Sequence, residues 1–296
     1  MIEKIYIRDE GEILLIDTRS KEGIESSLAK YLDVTIDELY KYVNHAAMEA
    51  QDGSGLDLNI FESEVLGIVS DLCPMKAIDE IYVYHLSRRL KCDIQCNSSD
   101  NLKLLLLNAS PLSEFLKVHG VIFIETDGHP AIVYKEKLVD LSNTDKTDVC
   151  YLRSRLGYNK GREDYCINGF ALREQLMKNT YTRSLYRCPE FMERLSHFLK
   201  KPEIVSDYFH NSTYYCYTYK LNISEIIFDD NDSLDENEKI DYFIVQLFNI
   251  LLTYTGIARS DYYHNNPIIR TKDDFCISAT AFVDKEEITL DMMKWK

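Results

Sequence analysis

The chain has 296 residues, 45% of them hydrophobic, which is enough for one large domain or two smaller ones. Its 34 basic and 49 acidic side chains give a formal net charge of −15, and this excludes a global positive field of the kind that holds a nucleic-acid backbone. No apolar run reaches the roughly 18 residues that a membrane helix needs, and charges interrupt the apolar N-terminus. We therefore expect neither a membrane span nor a signal peptide.

The first 50 residues predict a small unit of strands and helices. Residues 4–8 and 12–16 are short apolar strands joined by a turn, and the apolar spacing of residues 24–32 and 36–48 predicts a helical hairpin. The second helix begins with Asp37 and Glu38, so phosphate repulsion argues against sequence-specific DNA binding. Residues 51–56 contain two glycines and predict a linker. We expect a small N-terminal α/β unit over residues 1–70 and a main α+β domain over residues 71–296.

The main domain is predicted to mix strands and helices. The expected strands are residues 81–86, a hairpin that turns at residues 127–130, and residues 213–221, and residues 168–170 are expected to be a strand or a turn. The expected helices are residues 101–107, 111–118, 172–187, 189–199 and 234–254, and the residues after 256 are expected to be mostly irregular. Because this order lacks regular βαβ alternation, the predicted fold class is α+β.

The eight cysteines are scattered and mostly lie in apolar or aromatic surroundings. In a chain of this length such spacing is typical of free thiols in a reducing compartment, so we expect a cytoplasmic protein. The closest pair, Cys92 and Cys96, has no second pair of ligands nearby in the sequence, and we expect no metal site.

Charge is unevenly distributed along the chain. Residues 1–80 hold 18 acids and 7 bases, a net charge of −11, whereas residues 151–201 hold 11 bases and 5 acids, a net charge of +6. The basic segment indicates either a site for an anionic ligand or an internal partner for the acidic N-terminal residues, and the sequence leaves both interpretations open.

The common nucleotide and hydrolase motifs are absent from the sequence. It contains no G-x-x-x-x-G-K-[ST] phosphate loop, no G-x-G-x-x-G, no H-E-x-x-H and no G-x-S-x-G. These absences exclude the usual kinase, P-loop, zinc-protease and α/β-hydrolase signatures.

Two short motifs remain as candidates for chemistry. In the first, His85 ends an apolar strand and is followed by Ser87 and Arg88. An imidazole at this place can bond a ribose hydroxyl, and the adjacent guanidiniums of Arg88 and Arg89 can hold a pyrophosphate. Alternatively, the histidine is structural and both arginines are solvated. In the second, Gly169 and Phe170 precede a helix that carries Tyr181. The glycine lets the backbone approach a flat ring and an aromatic side chain can stack on it, unless both aromatics are simply core residues.

In this order the motifs resemble the ADP-ribosyltransferase superfamily over roughly residues 80–230. The carrying segments are IYVYHLSRR, NGFALREQLMKNTYTRSL and TYYCYTYKLNISEIIF. The resemblance implies a split, mostly antiparallel α+β fold that holds NAD in a cleft. It also implies catalytic roles for His85 and Tyr181 and a cofactor-binding set made of His85, Ser87, Arg88, Gly169, Phe170 and Tyr181.

The sequence departs from that family where most members place a glutamate, at the start of the third strand. Here the chain reads His210-Asn211-Ser212-Thr213, and the nearest carboxylates are Asp207 and Glu225. The expected function is NAD-dependent ADP-ribosyl transfer to a protein or nucleic-acid acceptor, in a toxin or phage-defence setting. The alternative is a non-catalytic acidic binding or regulatory protein whose N-terminal part contacts a basic partner.

Overall fold

The structure is a computed structural model, which describes residues 14–53, 55–72, 77–174, 176–229, 231–257 and 266–293. The first elements in chain order are β1 (Leu15–Ile16), α1 (Lys21–Leu32), α2 (Ile36–Glu49), β2 (Gln51–Asp52), β3 (Gly55–Leu56) and α3 (Leu58–Leu72). The two predicted helices are confirmed, and a reciprocal capping box between Thr35 and Glu38 starts α2. In the predicted linker, residues 51–52 and 55–56 form the paired strands β2 and β3. Most of the predicted N-terminal hairpin, residues 4–13, lies outside the described residues.

The middle and last parts of the chain supply the remaining elements. The middle contains β4 (Glu80–Leu90), α4 (Leu102–Leu107), α5 (Pro111–Val118), β5 (Val121–Thr126), β6 (His129–Tyr134), β7 (Lys137–Leu138), α6 (Thr147–Arg155), β8 (Asn168–Phe170) and α7 (Thr180–Ser184). The last part contains α8 (Glu190–Leu199), α9 (Pro202–Asn211), β9 (Ser212–Asn222), β10 (Ile226–Phe228), α10 (Glu236–Thr255), β11 (Ile268–Thr271) and β12 (Phe282–Glu287). Short 3₁₀ turns lie at Lys91–Asp93, Leu176–Lys178, Ile223–Glu225, Ala279–Ala281 and Leu290–Met293.

The α+β fold class is confirmed, and the described residues form a seven-stranded, a three-stranded and a two-stranded sheet, the last being β2-β3. The larger sheet has the hydrogen-bonded order β10-β11-β8-β4-β9-β12, with β1 paired to β4. The pairs β4–β8 and β9–β12 are antiparallel, and β1–β4 is parallel. The smaller sheet is the antiparallel ladder β5-β6-β7, in which Asp127 and Gly128 supply the two positive φ angles of a tight hairpin turn. The predicted strands at residues 81–86 and 213–221 are confirmed within β4 and β9.

The chain divides into two compact units, each built from several segments. The first contains Met1–Tyr84, Phe170–Asn179 and Lys220–Ile269, and in it α10 packs against α1, α2 and α3. The second contains His85–Gly169, Thr180–Tyr219 and Arg270–Lys296. Its apolar core joins the three-stranded sheet to the surrounding helices through buried residues such as Leu116, Leu152 and Leu195.

Two predictions in the second half of the chain were wrong. Residues 172–187 do not form one helix, since the main chain at Leu172 exchanges hydrogen bonds with the Asn266 side chain and the Arg173 amide donates to the Thr18 carbonyl. Main-chain groups used in this way are lost to a helix, and only the short α7 and one 3₁₀ turn remain. The residues after 256 include β11 and β12, and the charged sequence of β12, FVDKEE, is typical of a sheet edge.

Candidate functional site

Strand β4 separates the residues of the first motif onto two faces of the sheet. Successive side chains of a strand point to opposite faces, so His85, Ser87 and Arg89 share one face and Arg88 lies on the other. We call the face that carries His85, Ser87 and Arg89 the His85 face. The sequence motif His85-Leu-Ser-Arg88 therefore does not form a single site, and each residue has to be considered with its own neighbours.

His85 is half-buried and held by the neighbouring strand. Its Nδ1 lies 2.7 Å from the carbonyl oxygen of Asn168, and its ring centroid lies 6.5 Å from that of Tyr219. Burial lowers the pKa of His85 to about 4, and the positive charge of Arg89 acts in the same direction. The imidazole is therefore neutral at pH 7. Because a carbonyl oxygen only accepts, Nδ1 carries the proton and Nε2 is left as an acceptor.

Gly169 lies beside this imidazole. Tyr84 pairs with Phe170 in the antiparallel ladder, so the register places His85 opposite Gly169. Directly opposed residues point their side chains to the same face, and glycine has none, so the cross-strand position next to the imidazole holds no side chain. Asn168 is exposed, whereas the Phe170 side chain is only 7% exposed and is a core residue. The structure thus brings His85 and Gly169 together.

Arg88, on the opposite face, is committed to the fold. Its Nε donates to Ser212 Oγ at 2.9 Å, and its terminal nitrogens donate to the carbonyls of Tyr186, Phe209 (3.2 Å) and Ser212 (2.9 Å). In return, Tyr208 Oη donates to the Arg88 carbonyl at 2.8 Å. The guanidinium thus satisfies carbonyls at the C-terminal end of α9, where a cation is favourable. These donors are not available to a pyrophosphate.

Tyr181 is not brought to His85. Its side chain is 53% exposed, and the carbonyl of the next residue, Thr182, accepts a hydrogen bond from Tyr214 Oη at 3.0 Å. The Tyr214 ring also contacts Tyr186, whose carbonyl is bound by Arg88. Helix α7 therefore lies on the Arg88 side of the sheet. The sequence predicted that His85, Gly169 and Tyr181 lie together, and the structure brings together only His85 and Gly169.

The start of β9, where the resembled family has its glutamate, is occupied by Ser212. Its hydroxyl accepts from Arg88 and donates to the Tyr208 carbonyl. The nearest carboxylates have other roles, since Asp207 lies 3.7 Å from His119 and Glu225 accepts from the Asn222 amide in a capping box. The position thus contributes to packing and carries no group that stabilises positive charge.

Sequence reasoning missed two residues of the His85 face, Tyr217 and Tyr219, and did not separate Arg89 from Arg88. The Arg89 guanidinium carbon lies 5.1 Å from the Tyr217 ring centroid, and Tyr217 stacks on Tyr219 at 5.9 Å. The Tyr219 hydroxyl is 3.0 Å from Ser99 Oγ. The available signal was tyrosine at every second position of TYYCYTYKL, which places residues 215, 217 and 219 on one face of β9.

The basic segment 151–201 finds partners among nearby acids. Asp164 pairs with Arg155 at 3.1 Å and with Arg162 at 3.2 Å. Arg194 lies 3.3 Å from Asp148 and 3.2 Å from Glu190, and Lys201 lies 2.8 Å from Glu203. Local ion pairing therefore accounts for part of the segment's positive charge without a bound ligand.

No protein-family model, curated protein or solved structure matches this chain. Within the described ranges, no group of three or more His, Cys, Asp or Glu side chains is placed to hold a metal ion. In the same part of the chain, no helix combines the length and apolarity needed to cross a bilayer. The seven cysteines that the structure describes are free thiols.

Proposed function

We propose that this protein is ADP-ribosyltransferase-like and binds NAD, or a ligand carrying its ADP-ribose part, on the His85 face. The observation that carries the proposal is a neutral imidazole, held by the Asn168 carbonyl, whose Nε2 acceptor lies opposite Gly169. A hydroxyl of a ribose is a matching donor for this acceptor, and glycine at residue 169 adds no side chain beside the imidazole.

The residues present fit one end of this cofactor better than the other. In this proposal His85 and the half-buried Ser87, which share one face of β4, hold ribose hydroxyls. Arg88, Phe170 and Tyr181 do not fit, because the first is used by carbonyls, the second is core and the third belongs to the other face. When bound, NAD supplies an activated ADP-ribosyl group, and the part of His85 is to hold and orient the sugar.

A second candidate function is favoured by Ser212 at the start of β9. A protein with a serine here, engaged by Arg88, lacks the carboxylate that stabilises developing positive charge on the ribose. Binding of the nucleotide without transfer, as in a non-catalytic regulatory protein with a basic partner, is consistent with this feature. The two candidates share the ligand and differ only in whether nicotinamide is released.

The test is thermal denaturation with NAD, ADP-ribose and an unrelated nucleotide, followed by an assay for nicotinamide release. A ligand at 100 times its dissociation constant stabilises the folded state by about 2.7 kcal/mol. We expect stabilisation by NAD and ADP-ribose in the wild type and its loss in His85→Ala. His45→Ala, an exposed histidine on α2, is the matched control and keeps the response.

Three outcomes decide between the candidates. Stabilisation together with nicotinamide release in the presence of a protein or nucleic-acid acceptor supports the transferase. Stabilisation without release supports the binding protein. A wild type that responds to neither NAD nor ADP-ribose refutes the proposal.

A further inference from the structure

Arg89, the arginine on the His85 face, has one N–H group without an acceptor among the described residues. Arg89 is only 8% exposed. It donates to Asp93 Oδ2 at 3.1 Å, to the Ser98 carbonyl at 3.1 Å and to Ser99 Oγ at 2.5 Å. Its Nε, however, is buried without an acceptor among the described residues. A buried guanidinium N–H that lacks an acceptor is destabilising, so such a group indicates a missing partner.

The hydroxyl of Tyr217, whose ring lies next to the Arg89 guanidinium, also has no hydrogen-bond partner among the described residues. The Tyr217 side chain is fully buried. Burial raises the pKa of Tyr217 to about 12, so the hydroxyl keeps its proton and remains a donor at pH 7. Two unmatched donors thus belong to one cation–π pair, in which the arginine covers the tyrosine ring.

The charges around this ring favour an anion. Lys285 Nζ lies 5.7 Å from the Tyr217 ring centroid and donates to the Ile94 carbonyl. Arg89 and Lys285 therefore place two cations on the ring, against the single carboxylate of Asp93 that pairs with Arg89. A phosphate oxygen accepts several hydrogen bonds and carries the opposite charge, so it matches both the donors and the excess positive charge.

We propose that Arg89 and the Tyr217 hydroxyl form an anion subsite that takes a phosphate oxygen of the nucleotide whose ribose is held by His85. That the ligand is a nucleotide depends on the proposed function, whereas that an anion binds here depends only on these two donors. The arginine that the sequence assigned to the pyrophosphate, Arg88, is replaced in that role by its neighbour. The subsite is buried, and Phe282 of the edge strand β12 lies 6.3 Å from the Tyr217 ring.

The experiment compares Tyr217→Phe with Tyr215→Phe in the full chain. Each variant removes one hydroxyl and keeps its ring, and Tyr215 is half-buried on the same face of β9. Calorimetric titration with inorganic pyrophosphate, NAD and nicotinamide riboside, which has no phosphate, measures the three affinities. We expect Tyr217→Phe to weaken pyrophosphate and NAD about tenfold, the effect of one lost hydrogen bond to a charged group. We expect nicotinamide riboside to bind unchanged, and Tyr215→Phe to resemble the wild type throughout.

Arg89→Lys gives a second measurement if it folds, because it keeps the charge and removes the Nε donor. We expect it to weaken pyrophosphate in the same direction as Tyr217→Phe. A buried water bound to the two donors is the competing explanation. In that case Tyr217→Phe leaves the affinities for pyrophosphate and NAD unchanged, and the inference is overturned.

The outcomes separate this inference from the proposed function. Binding of pyrophosphate that depends on Tyr217, with no binding of NAD, supports the subsite and refutes the proposed function. Binding of NAD that depends on His85 but not on Tyr217 supports the proposed function and refutes the subsite. A wild type that binds neither probe refutes both.

Discussion

Arg88 provides the sharpest test of the division between the two faces of β4, because its Nε and both terminal nitrogens bond to neighbouring residues of the fold. The substitution Arg88→Met removes the charge and all donors while keeping an unbranched stem. Four acceptors lose their donor: Ser212 Oγ and the carbonyls of Tyr186, Phe209 and Ser212. The side chain is 7% exposed, so solvent does not replace these bonds freely.

The expected loss of stability follows from this geometry. Each hydrogen bond from a charged donor contributes about 1.5–3 kcal/mol, but bonds from one group are not additive. Each buried acceptor that is left unsatisfied costs about 1–3 kcal/mol, and we expect a total loss of about 3–5 kcal/mol because the structure relaxes around some of them. The variant also loses the cation–π contacts with Phe209 (4.6 Å) and Tyr186 (5.6 Å). At about 2–4 °C per kcal/mol, the melting temperature falls by about 10 °C.

The assay is urea unfolding followed by circular dichroism, with Arg19→Met as the control. Arg19 also pairs over a tyrosine ring, but its side chain is 50% exposed and its partner is the surface carboxylate Asp17. Its removal should therefore change the free energy of unfolding by less than about 1 kcal/mol. If Arg88→Met is as stable as Arg19→Met and has lost NAD binding instead, Arg88 is a ligand residue and the assignment of faces is wrong.

Three further predictions test local features. Gly157→Ala should destabilise the fold by more than about 2 kcal/mol, because a Cβ at this φ of +77° would lie 2.7 Å from Tyr165 Cζ. Gly161→Ala, measured in the same thermal melts, is the control, because its Cβ would meet open space and only the backbone strain remains. Asp235→Ala should cost about 1 kcal/mol by removing the cap of α10, and Asp235→Asn, which keeps a capping oxygen, should cost little in the same melts. The depressed pKa of His85, about 4 against its ordinary 6.5, makes the unfolded state bind more protons between these values. The contribution of His85 to the free energy of unfolding is therefore complete above pH 6.5 and falls by about 1–2 kcal/mol toward pH 4. Urea unfolding of the wild type and of His85→Gln at pH 7 and pH 4.5 measures this contribution, and we expect the variant to lose this part of the pH dependence. If both proteins show the same pH dependence, the prediction for His85 is wrong.

Local patterns were sufficient to predict much of the fold. Aromatic and β-branched runs predicted β4 and β9, apolar spacing predicted α1, α2, α8 and α10, and Asp127-Gly128 predicted the hairpin turn. Each of these signals depends on residues that are close in sequence. The helix expected over residues 172–187 was wrong because its first residues bond to Thr18 and Asn266, and no local pattern contains those partners.

The candidate site could be predicted only in part, for a related reason. The sequence pointed to His85 and Gly169, and the register of β4 with β8 brings these two together. It grouped Arg88 with them because the residues are neighbours in the chain, although the two-residue period of a strand already separates their faces. What the sequence lacked was the identity of the partners, namely the carbonyls around Arg88 and the Tyr217 ring beneath Arg89.

The same alternation bears on how this acidic chain can bind an anion. One arginine of the pair in β4 has all its named contacts with neutral acceptors, so its charge stabilises the end of α9. The other, Arg89 on the His85 face, lies over the Tyr217 ring together with Lys285 and pairs with one carboxylate, that of Asp93. A formal charge of −15 and a local positive site are therefore compatible, because the buried Arg89 and the half-buried Lys285 act over a few ångströms while surface acids are screened. Binding through Arg89 and Tyr217 should accordingly depend less on salt than binding through the exposed bases of residues 151–201.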